Sequence, residues 1–559
     1  MDRKAYGGCF LFLIVIIGST TAIGAIMRKF NNEQLQVINS NSDRILCLAA
    51  AGSGKTTVLL NRISRLVKDG VAPSSILALT FTNAAAAEMK SRYEAMHIGE
   101  ETPEFRTFHS FCYSILCKDS NIRQALGYEG IPTIVSEEQE KEIETKALTQ
   151  CKITLSKEKL RTRVGLTRQE IFQAELYDKA VTRLMRSENI ITFDRLNSDV
   201  AELFASGHSS TQYYKDKYKY IATDEFQDVD PIQFKFLNSF TTVNLLFVGD
   251  TLQNIYSFRG TSNEFIKLLA NAPGWEVIKL FTNYRSTNQI CEYTNKFSAK
   301  YADDSYRIEM KGTRDGERVV TKMTDGPAKY SYMNPRDLED VLKELDKLSG
   351  TSAILCRTNK EVAAVTSYLK TNAVDFTTSK DNQIQPLIDC SLSDTFALGY
   401  LASYLPSNKY GEYIRLCTQI QKPTLDWFLK LYGTVPQVKD VIKDIITLRE
   451  ISENSEFTNT KLSAIEKAFH LKNINKTDIQ YSGKKFLLYL RDAISDVKSS
   501  ELYVGTIHSV KGLEYDNVFV MNVGSYNFRL NSEDEKNLFY VAITRAKDRL
   551  FVYELFDDC

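Results

Sequence analysis

The chain of 559 residues is too long for one ordinary hydrophobic core, so we expect three or four folding units of roughly 100 to 150 residues. Hydrophobic residues make up 43% and charged residues 25%, a balance typical of globular proteins that excludes a disordered chain. Lysine plus arginine equals aspartate plus glutamate at 70 each, which excludes nucleic-acid binding through net charge alone. Any such binding must come from a local groove.

The first 26 residues differ in composition from the rest. Segment 9–26 is mostly apolar and follows a basic start, which is typical of a signal peptide or a short membrane anchor. Only 9–17 is continuously apolar, and glycine, serine and threonine dilute the remainder. We therefore interpret 1–26 as an apolar extension that reflects either a mis-assigned start upstream of Met27 or an anchor, with the anchor less favoured.

Strands and helices alternate in the next part of the chain. An apolar run at 44–48 leads through glycines into a helical pattern, and a second apolar run at 75–81 precedes an alanine-rich helix. Strand patterns return at 218–226 and 243–250, whereas charged helical segments fill 113–217. This alternation predicts a parallel α/β sheet with a helical insertion.

A second set of apolar, strand-like runs follows, and a second mostly helical block lies within it, at about 381–498. The runs occur at 275–281, 352–358, 502–508 and 517–523. The predicted architecture is therefore two α/β domains, each interrupted by one mostly helical insertion.

A phosphate-binding loop, Gly52–Thr56, lies between the first predicted strand and its helix. Its glycines let backbone N–H groups approach phosphates, and the N-terminus of the helix adds its dipole. Lys55 would neutralise the β and γ phosphates of ATP, and the Thr56 hydroxyl would hold Mg²⁺. Asp224 and Glu225 end a later predicted strand, where the aspartate can hold Mg²⁺ through water and the glutamate can act as general base on the attacking water.

The order and spacing of further motifs resemble those of the UvrD, Rep and PcrA group of superfamily 1 DNA helicases. The motifs are DEFQDVDPIQ (224–233), GDTLQNIYSFRG (249–260), NYRS (283–286), TIHSVKGLEYDNVFV (506–520) and FYVAITRAK (539–547). FTNAAAAEMKSR and FRTFHSFC match two further segments of the group, as does FNNEQLQVI. The match covers the chain from about Phe30 to Phe551.

This resemblance implies an α/β fold of two RecA-like P-loop NTPase domains, each with a mostly helical insertion. The implied boundaries are 27–112 and 218–285 for the first domain, 113–217 for its insertion, 286–380 and 499–559 for the second domain, and 381–498 for a shortened second insertion.

Roles for individual ATP-site residues follow from the resemblance, position by position. Gln34 corresponds to the glutamine that reads adenine, Tyr284 to the aromatic that stacks on it, and Glu514 lies near the ribose. Gln253 corresponds to the γ-phosphate sensor, and Arg285 and Arg545 to two arginine fingers. The implied ATP-binding residues are Gln34, Ala51, Gly52, Ser53, Gly54, Lys55, Thr56, Thr57, Tyr284 and Glu514. The implied catalytic set is Lys55, Thr56, Asp224, Glu225, Gln253, Arg285 and Arg545, with Thr56 and Asp224 as the Mg²⁺ ligands.

Residues of the single-strand path follow from the same resemblance: Phe81, His109, Tyr256, Phe258, Arg259, Thr506 and His508. Stacking of bases on aromatic rings contributes roughly 1 to 3 kcal/mol per base and is tolerant of sequence, which suits a motor that moves along any strand. Ala84 departs from the family pattern, because members commonly carry lysine there.

The implied function is an ATP-dependent 3′–5′ DNA helicase that translocates on single-stranded DNA in repair, replication or recombination. The expected cofactors are ATP and Mg²⁺, and the expected partners are single-stranded DNA and single-strand/duplex junctions, with no membrane partner. We expect a monomer or weak dimer in the cytoplasm, or in a nucleus or viral factory where the DNA lies. The shortened second insertion favours one alternative, a translocase that displaces proteins and unwinds weakly. An inactive, ATP-gated DNA-binding scaffold is the other, and the intact charged set argues against it.

Overall fold

The structure is a computed structural model that describes residues 30–378 and 501–555. Short gaps interrupt it at 100, 136, 157–158, 161–164, 242, 257–260, 262, 303–304 and 326–331. The apolar extension and the predicted second insertion therefore lie outside the described residues, as do Phe258 and Arg259. No helix within the described part of the chain is both long and apolar enough to cross a membrane.

Six parallel strands form the sheet of the first lobe, and all five registers are parallel. In spatial order they are β3 (Glu104–Thr107), β2 (Ile76–Thr80), β6 (Tyr220–Thr223), β7 (Asn244–Gly249), β1 (Arg44–Ala49) and β8 (Glu276–Leu280). The runs in β1, β2 and β7 are apolar and almost wholly buried, which is typical of a parallel sheet covered on both faces.

Helices cover both faces of this sheet and form two apolar cores. They are Asn32–Asn39, Lys55–Lys68, Asn83–Glu94, Phe108–Lys118, Pro231–Asn238 and Glu264–Ala270. Glycine or a side-chain cap begins several of them: Asn31 caps the first, Thr82 the third and Asp230 the fifth.

One strand belongs to a different sheet from the one that its position in the sequence suggested. The run 275–281 contains β8, which pairs with β1 from Ile45–Glu276 to Ala49–Leu280 and closes the edge of the first sheet. Its assignment to the second set of strands was wrong, because apolar periodicity predicts a strand but not the sheet in which the strand pairs. The first-domain boundary that the resemblance implied, 218–285, does include this run.

The predicted first insertion, 113–217, is mostly helical. It also contains a two-stranded parallel sheet, β4 (Thr133–Ile134) and β5 (Ile190–Ile191), where the sequence predicted no strand. Strands of two residues are too short to leave a periodic signal. The helices that follow Phe108–Lys118 in this region are Ser120–Ala125, Glu137–Gln150, Arg168–Ser187, Phe193–Ala205 and Gln212–Lys217.

A second sheet of six parallel strands forms the second lobe. In spatial order it contains β11 (Val320–Thr324), β16 (Ala546–Leu555), β15 (Tyr515–Val523), β12 (Ser352–Cys356), β14 (Leu502–Thr506) and β13 (Thr377–Thr378). A small pair, β9 (Thr282–Asn283) and β10 (Lys311–Gly312), lies in the connection between the lobes. The helices of this lobe are Asn288–Ser298, Pro335–Leu345, Asn359–Thr371 and Glu533–Ile543. The prediction of an α/β fold with two parallel sheets is confirmed.

Candidate nucleotide and DNA site

The phosphate-binding loop leaves the carboxyl end of β1, which lies between β7 and the edge strand β8. Gly52 and Gly54 have φ angles of 69° and 83°, a region that side chains rarely adopt. A Cβ atom at Gly52 would lie 2.6 Å from Asn283 Oδ1 and 2.7 Å from Arg285 Cβ. Glycine is therefore required here for the close approach of the connecting segment as well as for the turn.

Lys55 and Thr56 meet the two acidic residues that follow β6. Lys55 Nζ lies 3.3 Å from Glu225 Oε2, and Thr56 Oγ1 donates to Asp224 Oδ2 at 2.7 Å. Burial opposes the charge on Lys55, but Glu225, Asp250 and Asp224 outweigh it and raise its pKa. The loop therefore keeps a buried cation where a phosphate would bind.

The environments of the two adjacent carboxyls move their pKa values in opposite directions. Burial and the neighbouring Glu225 raise the pKa of Asp224. Burial also opposes ionisation of Glu225, but Lys55 and Lys511 outweigh it and hold its pKa below the usual range. Glu225 is therefore ionised at neutral pH, as a general base must be.

The oxygen atoms of Thr56 and Asp224 suit Mg²⁺, which prefers hydroxyl, carboxylate and phosphate oxygens and keeps several waters. Across the described residues, no group of three or more histidine, cysteine, aspartate or glutamate side chains is arranged to hold a metal. Thr56 and Asp224 fit an ion whose other ligands would be phosphate and water oxygens.

Glu225 has a left-handed backbone, with φ 52° and ψ 44°. Its side chain accepts a hydrogen bond from Gln227 Nε2 at 2.6 Å, and Gln227 Oε1 accepts one from the backbone N–H of Asp250 at 2.9 Å. Gln227 is fully buried, so it links the ends of β6 and β7 out of solvent. The site prediction omitted it, although it lies within the DEFQDVDPIQ motif.

Gln253 lies on the short turn after β7 and contacts both lobes. Its Nε2 donates to Asp250 Oδ2 at 2.7 Å, and its Oε1 accepts from Arg545 Nη2 at 3.4 Å. Arg545 is 1% exposed and also donates from Nη1 to the carbonyl of Leu513 at 3.2 Å. Burial and the nearby Arg285 lower the pKa of Arg545 to about 9, so it remains charged at neutral pH.

Arg285 lies on the connecting segment, opposite the phosphate-binding loop. Its Nε donates to Glu514 Oε2 at 2.7 Å, and its Nη1 donates to the carbonyl of Thr544 at 3.1 Å. Arg285 therefore lies close enough to Arg545 to lower its pKa. An ion pair with Glu514 holds the Arg285 side chain in this position.

Gln34 and Tyr284 lie together at one side of the loop. Gln34 Nε2 donates to the carbonyl of Ser53 at 3.0 Å, and the Tyr284 hydroxyl lies 3.5 Å from Gln34 Oε1. The backbone N–H of Tyr284 donates to the carbonyl of Gly52 at 2.9 Å, while its side chain is 44% exposed. Gln34 is 5% exposed and its amide oxygen also accepts from the backbone N–H of Asn31, so in this structure only the Tyr284 ring is open to a base.

The predicted DNA residues form two groups in the first lobe. Phe81 and Tyr256 stack with ring centroids 5.3 Å apart and planes 14° apart. His109 packs edge-on against Phe193, with ring centroids 5.7 Å apart. Phe193 is 45% exposed and was omitted from the predicted DNA path, since it lies in the insertion and outside the family motifs.

Thr506 and His508 lie in the second lobe, at the end of β14 and in the turn that follows it. Burial, together with Arg357 and Lys511, lowers the pKa of His508 to about 4. The ring is therefore neutral at neutral pH, so any contact of His508 with DNA would be a hydrogen bond or stacking and not an ion pair.

Two further contacts of the site were missed by the prediction. Lys511 Nζ forms an ion pair with Asp228, donates to the carbonyl of Gln253 at 2.8 Å and lies 4.8 Å from the ring centroid of Tyr256. Arg92 Nη2 donates to Thr57 Oγ1 in the loop at 2.7 Å. Lys511 lies in the motif TIHSVKGLEYDNVFV and Arg92 in FTNAAAAEMKSR, so their place in family motifs could have identified them as site residues.

Two family models match most of the chain. The UvrD/REP helicase N-terminal domain matches residues 30–273, and the UvrD-like helicase C-terminal domain matches residues 278–385 and 402–555.

Curated relatives agree over nearly the full chain. The ATP-dependent DNA helicase PcrA of Staphylococcus epidermidis is 26% identical, over 95% of this chain and 84% of the relative. A probable DNA helicase II homolog of Mycoplasma capricolum is also 26% identical, over 95% and 85%. PcrA of Staphylococcus aureus is 25% identical, over 95% and 84%. The resemblance stated from the motifs is confirmed, and the chain belongs to the UvrD/Rep family of ATP-dependent DNA helicases.

Proposed function

We propose that this helicase is a motor that hydrolyses ATP between its two lobes and moves 3′ to 5′ along single-stranded DNA. One observation carries the proposal. The segment 253–256 holds Gln253 against Arg545 at one end and Tyr256 against Phe81 at the other. A rearrangement of Gln253 would therefore reach the stacking pair only three residues away.

The cations around the loop suit phosphoryl transfer. Charge develops on the equatorial oxygens of the transferred phosphoryl group, and preorganised cations stabilise it. Lys55 would act on the β and γ phosphates, while Arg285 and Arg545 would approach the γ phosphate from the opposite side. Mg²⁺, held by Thr56 and Asp224, would neutralise phosphate charge when bound, and Glu225 would take the proton of the attacking water.

Lys511 supports the link between hydrolysis and movement. It is a second-lobe side chain that contacts the carbonyl of Gln253 and the ring of Tyr256, both on the first lobe. Separation of the lobes would break both contacts at once. We therefore propose that opening and closing of the lobes moves the aromatic platforms relative to each other along the strand.

The test is a DNA-stimulated ATPase and polarity assay on the full chain. We expect ATP hydrolysis to increase with oligo-dT, and we expect unwinding of a duplex with a 3′ tail but not of one with a 5′ tail. Streptavidin displacement from biotinylated single strands measures translocation separately. An ATPase rate that does not change with oligo-dT would contradict the proposed motor. Faster unwinding of the duplex with the 5′ tail would contradict its polarity.

Three further proposals concern the DNA substrate, the oligomeric state and the cellular role. We propose single-stranded DNA and single-strand/duplex junctions as substrates, a monomer or weak dimer as the working form, and a role in repair, replication or recombination wherever the DNA lies. Sedimentation with and without a 3′-tailed duplex measures the working form.

A further inference from the structure

The helix Glu533–Ile543 of the second lobe packs on the turn Thr251–Gln253 of the first lobe. The Tyr540 hydroxyl donates to Asp250 Oδ2 at 3.3 Å. Tyr540 is 2% exposed, so the bond lies out of solvent. None of the proposed roles described above uses this hydroxyl.

A second bond from the same helix reaches the other end of the same turn. Asn537 Nδ2 donates to the carbonyl of Asn254 at 3.0 Å, and Asn537 is also 2% exposed. Residues three apart lie on one face of a helix, so Asn537 and Tyr540 bind the turn side by side.

The acceptor of the Tyr540 hydroxyl is also the atom that orients Gln253. Asp250 Oδ2 accepts from Gln253 Nε2 at 2.7 Å as well as from Tyr540. Arg545 follows the same helix by two residues and donates to the opposite end of the Gln253 amide, at Oε1. One helix therefore contacts the Gln253 side chain directly through Arg545 and indirectly through Asp250.

We propose that Tyr540 is a positioning residue for ATP hydrolysis, whose hydroxyl fixes Asp250 and through it the side chain of Gln253 when the lobes are together. Asn537 is the second support of the same turn. The inference rests on the proposed function, because it requires Gln253 to face the γ phosphate.

The chemistry of the contact makes it sensitive to closure. The donor and the acceptor of this bond lie on different lobes, and its oxygen–oxygen distance of 3.3 Å is longer than that of a strong charge-assisted bond, so a small separation of the lobes would break it. Burial and the nearby Asp250 raise the pKa of Tyr540 well above its ordinary value, so the hydroxyl keeps its proton and remains a donor. Lobe separation would remove this donor from Asp250 and leave Gln253 with one support fewer.

The test compares Tyr540→Phe with a matched control, Tyr553→Phe, in the full chain. Tyr553 is 1% exposed, lies on β16 in the same lobe and donates its hydroxyl to Asp340 Oδ2 at 2.6 Å, away from the nucleotide site. Each variant loses one hydroxyl–carboxylate bond, which is buried at Tyr540 and partly buried at Tyr553. We expect Tyr540→Phe to lower the DNA-stimulated kcat about tenfold with the KM for ATP within about twofold, and Tyr553→Phe to leave both within about twofold.

A second measurement separates positioning from a structural role. If Tyr540 acts through Gln253, the double variant Tyr540→Phe/Gln253→Ala will have the kcat of Gln253→Ala alone. Equal kcat values for Tyr540→Phe and Tyr553→Phe, or losses that multiply in the double variant, would overturn the inference while leaving the proposed motor intact. A wild-type chain with no DNA-stimulated hydrolysis would overturn the proposed function itself.

Discussion

The first lobe presents the ends of its strands to the nucleotide site, whereas the second lobe presents one helix and one loop. Asp224, Asp250 and the phosphate-binding loop extend directly from strands whose pairing holds them in fixed relation. Arg545 and Lys511 reach the same place only across the contact between the lobes. In the proposed mechanism, the groups that would bind the nucleotide are therefore built into the first sheet, and the groups that would respond to closure come from the second lobe.

This division predicts different kinetic consequences for the two lobes. Changes in the first lobe should weaken nucleotide binding and hydrolysis together. Changes in the second lobe and in the connecting segment should lower turnover while binding survives, because closure follows binding. The experiments below test that difference, in order of decreasing expected effect.

Lys55→Ala should have the largest effect. It removes the cation buried against Glu225, so we expect DNA-stimulated ATPase to fall about 10³-fold, together with weaker ATP binding. Phosphate release and binding of a fluorescent ATP analogue measure the two losses. Lys343→Ala is the control, because Lys343 is an exposed lysine paired with Glu339 along its own helix. If Lys55→Ala kept a tenth of the normal turnover, the proposed role of the Gly52–Thr56 loop in binding the phosphates of ATP would be wrong.

Arg285→Ala should lower kcat by roughly 100-fold, less than the full effect of an arginine finger because Arg545 remains. The KM for ATP should stay within about threefold, since the connecting segment acts at closure. Steady-state kinetics with saturating oligo-dT measure both values, and Arg336→Ala, at an exposed arginine, is the control. A loss of ATP affinity as large as the loss of kcat would show that this segment belongs with the first lobe.

Tyr256→Ala should weaken single-stranded DNA binding by about tenfold, through the loss of one stacking face. Hydrolysis without DNA should change by less than about twofold, because Tyr256 is not among the residues around the loop. Fluorescence anisotropy with labelled oligo-dT measures the affinity. Tyr526→Ala serves as the comparison, since Tyr526 is a second-lobe tyrosine that is 83% exposed. Equal affinities of the two variants would remove Tyr256 from the DNA path.

His508 should give a smaller, pH-dependent effect on stability. The folded protein holds the pKa of His508 at about 4, below the value of about 6.5 for an unperturbed histidine. Between these pH values the unfolded chain binds a proton that the folded chain does not, so stability present above pH 6.5 is lost as the pH falls. From pH 7 to pH 5 we expect His508→Gln to lose about 1 kcal/mol less stability than the wild type, after allowance for solvent around the half-buried ring.

Urea unfolding at pH 7 and pH 5 measures this difference, with the exposed His208 changed to glutamine as the control. A wild type and a His508→Gln variant with parallel pH profiles would mean that the ring is open to solvent in the folded protein.

The sequence indicated which charged and hydroxyl groups lie together, because these groups follow strand ends and lie in short motifs; their roles remain predictions. Lys55, Thr56, Asp224 and Glu225 are within hydrogen-bond or ion-pair distance of one another, as the strand–loop pattern implied. Likewise, both parallel sheets could be inferred from alternating strands and helices. What the sequence could not supply was pairing between distant segments.

The features that the sequence analysis missed are contacts between residues that are far apart in the chain. Tyr540 and Asp250 are 290 residues apart, and His109 packs on Phe193 from a different part of the chain. The strand β8 pairs in the first sheet although it lies next to second-lobe segments in the sequence. These contacts depend on how the lobes and the insertion dock, which local periodicity does not encode.

Glu225 has a left-handed backbone conformation that costs stability, while its side chain is the proposed general base for hydrolysis. A non-glycine residue held there costs roughly 1 kcal/mol or more, and asparagine tolerates this region better than glutamate. Glu225→Asn would relax the backbone and at the same time withdraw the carboxylate that we propose as the general base. We therefore expect a protein that binds ATP and turns it over hardly at all, with the relief of backbone strain offsetting part of the stability lost with the Lys55–Glu225 ion pair. Such a variant would capture the ATP-bound, closed form for structural work.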